Sequence, residues 1–201
     1  MTSTVDICNI ALDMLGASTI SSLDENSKTA NLISKRFDSA RDFVFREHVW
    51  NSLIRRAELS QETTKPPFGY DFQYQLPTDP FCLRVLEFSN SNLSYPQDNM
   101  MTSTGDPVFV IEGRKLLTNE DTAKIKYISR ITDPNEYDAG LIETLAAYLA
   151  TEICYAVTGS TSLMQVTYAK YEQTLRNARH TDATEGATTR LEASDFIESR
   201  F

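Results

Sequence analysis

Residues 138–157, DAGLIETLAAYLATEICYAV, constrain the fold more than any other stretch of the chain. Leu141, Ile142, Leu145, Ala146, Leu149, Ile153 and Ala156 recur at steps of three and four, so they share one broad helical face. Asp138 stands where a carboxylate caps the first free N–H groups, and Gly159 stands at a usual helix stop. At about 1.5 Å per residue the segment is roughly 30 Å long, the width of a small domain. Glu143 and Glu152 interrupt it too early for a membrane span. The expectation is a core helix, no membrane, and other elements covering the apolar face.

Those elements are legible on both sides. Val5, Cys8, Ala11, Leu12 and Leu15 form a helical stripe that opens near Thr4 and Asp6 and stops at Gly16. After a polar loop, Ser27 opens a second helix with Ala30, Ile33, Phe37, Ala40 and Val44 on one face. Its other face carries Lys28, Lys35, Arg36, Arg41 and Arg46, with Asp38, Asp42 and Glu47 interleaved. That pattern reads as a solvated face or a subunit contact. A last helix runs from Ser160–Ser162 to about His180, with Met164, Tyr168, Tyr171, Leu175 and Ala178 on one side.

Between the helical pairs the period changes to two. Phe72, Tyr74 and Leu76 alternate with polar residues before Pro77, and a second strand covers Cys82–Phe88. Val108–Ile111 and Leu116–Leu117 flank Glu112-Gly113-Arg114 as a hairpin, and Ile125, Tyr127 and Ile131 mark another strand. Residues 89–106 are polar without pattern and read as an exposed loop. The predicted fold is α+β: a four-helix bundle (about 5–16, 27–48, 138–158 and 161–180) with an inserted small antiparallel β-sheet and an extended C-terminal arm. By residue, the helical domain is 1–49 and 133–182, the inserted β domain 50–132 and the arm 183–201.

Composition narrows the function. A formal charge of −9 argues against sequence-independent nucleic-acid binding, which needs a basic surface. It weakens a helical DNA-binding regulator for the same reason. Cys8, Cys82 and Cys154 are odd in number and far apart, so neither a disulfide framework nor metal spacing is expected. The start, MTSTVD, has no basic or apolar leader pattern, which points to the cytoplasm.

Catalytic patterns are absent from the sequence as well. The two histidines, His48 and His180, belong to no Ser/His/Asp order, and there is no Gly-rich phosphate loop or HExxH. The expectation is no catalytic residue, no metal and no cofactor. With 28 Asp and Glu residues a glycosidase carboxylate pair remains the enzyme alternative, as a cell-wall-degrading activity.

The ordered segments carry a family resemblance. REHVWNSLIRRAEL is followed by FQYQLPTDPFCLRVLEF, then VFVIEGRKLL, KIKYISRI and LIETLAAYLATEICYAVTG. The chain resembles the tail tubular protein A family, the head-to-tail adaptors of short-tailed bacteriophages, over roughly residues 5–185. The resemblance implies a structural virion protein, assembled in the host cytoplasm and placed in the tail at the head–tail interface. It implies a homo-oligomeric ring, commonly a dodecamer, between the portal protein and a tail nozzle (tail tubular protein B-like) protein. DNA would pass through the lumen without specific binding, which suits an acidic wall.

Two segments are then assigned. Arg190, Leu191, Phe196, Ile197, Arg200 and Phe201 lie along a polar tail and are expected to form a portal-binding arm. Tyr95, Met100 and Met101 are expected to form a nozzle-facing loop, on the side away from the helices that hold both termini.

Overall fold

The computed structural model describes residues 2–89, 94–96 and 108–185. Eleven elements follow in order: α1 (Thr4–Met14), α2 (Lys28–Glu47), β1 (Ile54–Glu58), β2 (Phe72–Gln75), β3 (Phe81–Ser89) and β4 (Ser94–Pro96). Then come β5 (Phe109–Glu112), β6 (Lys115–Thr118), β7 (Lys124–Arg130), α3 (Ala139–Thr158) and α4 (Thr161–Glu185). The fold is mixed α+β, with four helices and two small antiparallel sheets.

Local chemistry sets the helix ends. Ser3 caps α1 through a reciprocal pair with Asp6: its hydroxyl accepts from the Asp6 N–H, and its own N–H donates to the Asp6 carboxylate. Ser27 and Asp138 accept from the N–H groups of Ala30 and Leu141 and so open α2 and α3. Gly159 ends α3 in the left-handed region, at φ 69°, where a side chain would be strained. The loop after α1 is held by Asn9, whose side-chain amide both donates to and accepts from the Ile20 backbone, at 3.0 and 2.9 Å.

Helix α3 is the centre of the helical core. It packs against α1, α2 and α4, and Leu141, Leu145, Leu149 and Ile153 are buried. Burying each such side chain stabilises the fold by about 1.5–3 kcal/mol. Its length and hydropathy alone would pass for a membrane span; the other helices cover that apolar face instead. At Gly140 α3 and α4 approach closely, and an added Cβ would lie 3.0 Å from that of Ala178.

The β region is two sheets where the sequence led us to expect one. The larger runs β1-β7-β3-β4 and the smaller β2-β6-β5, all neighbours antiparallel. The middle of the larger sheet is buried on both faces. Ile128 of β7 joins the helical core, packed with Leu53, Leu83 and Leu86, whereas Ile125 and Tyr127 point the other way. There they meet Tyr74, Val85, Phe88, Phe109 and Leu116 in a second core that the smaller sheet closes. The order of layers is therefore helices, four-stranded sheet, three-stranded sheet. The alternation within β7 is what lets one strand serve both cores.

Three boundaries differ from expectation. Strand β1 falls within the β region expected from residue 50, but its sequence, IRRAE, is charged and shows no apolar alternation; as an edge strand it needs only one half-buried face. Strand β4 lies inside the stretch read as an exposed loop, and it pairs Ser94–Pro96 with Glu87–Ser89. Helix α4 continues through Glu185 rather than stopping near His180, so 183–185 are helical and not arm. Asp182 explains the extension: the helix reaches a partner there that no apolar stripe announces.

Candidate functional site

The chemistry of this surface is concentrated in a groove of about 580 Å³ where the end of α2 meets the two sheets. Its walls are apolar, with Phe43, Leu76, Phe81, Leu83, Val85 and Ile111, and its rim is basic. Four arginines line it (Arg46, Arg84, Arg114 and Arg130) against one aspartate, Asp42, a local excess of three positive charges in a chain of −9. Arg130 is paired with Asp42 through both of its forked nitrogens. Among the described residues Arg114 meets no carboxylate: it donates to the carbonyls of Cys82 and Pro77, at 2.6 and 2.5 Å. Both guanidinium groups lie over the Phe81 ring, at 3.9 and 4.3 Å from its centroid. Arg46 and Arg84 are exposed and have no ion pair among the described residues.

The basic face expected along α2 is thus divided. Arg41 is buried and held by Asp38 and Asp42, at 2.9 and 3.2 Å. It is therefore part of the packing and not of a solvated face. Arg36 approaches Glu152 of α3 at 3.9 Å, and Arg46 alone turns to the groove.

A second feature is an aromatic strip on α2, α3 and α4. Phe43 stacks on Tyr148 at 4.7 Å, Tyr148 meets Tyr171 at 5.1 Å, and Tyr171 meets Tyr168 at 6.3 Å. Tyr171 is buried, but Phe43 (44%), Tyr168 (51%) and Tyr155 (60%) are left exposed, and Met164 lies beside them. Helical spacing places Tyr148, Thr151 and Tyr155 on one face of α3.

The third feature is the environment of His48. Its Nε2 lies 2.9 Å from Asp182 Oδ2, and its ring packs edge-on against Trp50 at 5.0 Å. Asp182 also accepts from the Asn51 N–H at 3.0 Å, while the Asn51 amide donates to the Asp182 carbonyl at 2.8 Å. Arg179 adds bonds to the Glu47 carbonyl and carboxylate. The arrangement joins the end of α2 to the end of α4. The aspartate is occupied on both oxygens, so the pair is built as a clasp.

Titratable groups tell the same story elsewhere. Burial pushes the Cys8 thiol up to about 12 and the Cys82 thiol up to about 11, which keeps both protonated. Hydrogen bonds from Ser3, Ser21 and Asn135 hold the carboxyls of Asp6, Glu25 and Asp133 below their usual range. Among the described residues no group of three or more His, Cys, Asp or Glu is placed to hold a metal.

The residues singled out from the sequence fall mostly outside this description. Arg190, Leu191, Phe196, Ile197, Arg200 and Phe201, and Met100 and Met101, lie outside the described residues. Tyr95 is in β4, at the edge of the larger sheet. The groove itself was missed because its arginines come from α2, β3, the β5–β6 turn and β7, with no shared spacing in sequence. No family model matches the chain, and neither does any curated protein.

Proposed function

We propose that this chain is a structural head-to-tail adaptor of a short-tailed bacteriophage. Copies assemble as a ring, a dodecamer, between the portal and the tail nozzle, and DNA passes through the lumen. In this reading the four helices form the ring-building bundle. Residues beyond α4 are an arm for the portal, anchored by Leu191, Phe196, Ile197 and Phe201, and the segment around Tyr95, Met100 and Met101 faces the nozzle. The protein acts by assembly and not by catalysis, and it resides in the virion.

The observation that carries the proposal is the aromatic strip. Phe43, Tyr155 and Tyr168 remain exposed on helices whose other faces are closely packed. Tyr and Phe clustered on one face favour burial against another protein surface, and rings are built from such side-to-side contacts. The order of elements, a helical pair on each side of a β region, supports the family likeness. The acidic balance supports a lumen that repels phosphate, so that a duplex slides without being held.

Electron microscopy and sedimentation of the purified protein, alone and mixed with portal, test the reading. Rings alone or on the portal are the expected result. A monomer that ignores the portal would overturn it.

A further inference from the structure

The arginine groove is left unused by the adaptor reading. Nothing in the packing requires Arg46 and Arg84 to face it, since neither has an ion pair among the described residues. A concentration of positive charge over an apolar floor fits a segment that carries carboxylates and bulky apolar side chains together. It fits nucleic acid less well. The Phe81 ring is already covered by two guanidinium groups and cannot stack a base, and Asp42 stands among the arginines.

The C-terminal part of the chain contains such a segment. Residues 191–198, LEASDFIE, carry Glu192, Asp195 and Glu198 without a single cation, with Leu191 before them and Phe196 and Ile197 between Asp195 and Glu198. Phe201 follows as the last residue of the sequence. The path is short. The described part of α4 runs to Glu185, and its last turns touch His48, Asn51 and Glu47, the residue next to Arg46 of the groove. Six extended residues, 186–191, reach about 20 Å at roughly 3.3–3.6 Å each.

We infer that the groove between α2 and the two sheets is a docking site for residues 191–201 of the same chain, whose carboxylates meet Arg46 and Arg84. The apolar residues involved are those that the adaptor reading gives to the portal. The groove therefore holds the segment in the free protein, and a portal must compete for it. The inference rests on the groove and needs no portal, so it can fail while the adaptor reading stands.

The test is amide hydrogen exchange of residues 191–201 in the full-length protein at low concentration. In the wild-type protein these amides should exchange at least about tenfold more slowly than in the R46E/R84E variant. Both arginines are exposed, so the melting temperature should hardly change. Adding D195R and E198R to that variant should restore slow exchange, because the charges are then paired in reverse. Equal exchange in the wild type and R46E/R84E would overturn the proposal, as would failure of the charge swap. Protection that disappears on dilution would assign the groove to a second copy and overturn the intramolecular contact. Faster exchange on adding duplex DNA would make the groove a phosphate site and overturn it too.

Discussion

Asp182 and His48 are bonded at 2.9 Å across 134 residues of sequence, and this contact ties the last described turns of α4 to the end of α2. The same carboxylate satisfies the Asn51 N–H at the turn that leads into β1. One side chain thereby ties α4 to the junction of the helical and sheet layers. Replacing Asp182 by Ala would leave a half-buried N–H and an imidazole without their acceptor, at a cost of about 1–3 kcal/mol. For a chain of this size that is a fall of roughly 2–4 °C in Tm per kcal/mol. His48→Ala should cost less, and the double variant should be less destabilised than the sum. Additive losses in thermal melts would show that the two residues act separately.

Alkaline pH should weaken the fold through its buried acids. Burial holds Cys8 near 12, Cys82 near 11 and the Tyr137 phenol near 12, against ordinary values of 9.0 for a thiol and 10.0 for a phenol. Each raised pKa stabilises the fold while the unfolded chain is still protonated, and that contribution is lost as pH rises through the folded value. Urea midpoints should therefore be insensitive to these groups below pH 9 and fall steadily between about 9 and 12. At pH 8 the native thiols should react with iodoacetamide far more slowly than in urea. Rapid labelling of Cys8 in the native state would contradict its burial.

The helices were readable because their chemistry is local. Ser27, Asp138 and Gly159 act on backbone groups within four residues, and the stripes of α2 and α3 repeat at fixed steps. The strands β2, β3, β5, β6 and β7 were readable from alternation. What could not be read was set by distant partners. The single expected sheet became two because Ile128 and Tyr127, adjacent in sequence, belong to different cores. Arg41 looks like a surface residue by spacing, yet Asp38 and Asp42 let it be buried. The groove had no linear signature at all, since its charges come from four elements.

Residues 91–104 provide a separate test of the adaptor reading. They contain β4, a three-residue strand at the edge of the larger sheet, paired with Glu87–Ser89 of β3. Deleting them should therefore spare both cores, ring formation and portal binding, while recruitment of the nozzle is lost. Co-sedimentation of portal, adaptor and nozzle reads all three. Normal nozzle recruitment by the deletion variant would remove this segment from the interface.

The aromatic strip gives the sharpest prediction about assembly. Tyr155 and Tyr168 are more than half exposed, so replacing both by Glu should change the stability of the single subunit by less than about 1 kcal/mol. In a ring the same residues would be buried aromatic anchors, where each truncation costs on the order of 2 kcal/mol or more. A buried carboxylate adds its own desolvation cost. Two such losses at every subunit contact correspond to a weakening of at least about 100-fold, since 1.4 kcal/mol is a factor of ten. The Y155E/Y168E protein should sediment as a monomer with a wild-type melting curve and circular dichroism spectrum. Leu145→Ala, which acts on the core beneath the strip, should show the reverse pattern: a melting temperature lowered by a loss of about 2–5 kcal/mol, with the contact surface intact. Rings that survive both tyrosine substitutions would show that the strip faces solvent in the assembly, and that subunits meet through another face.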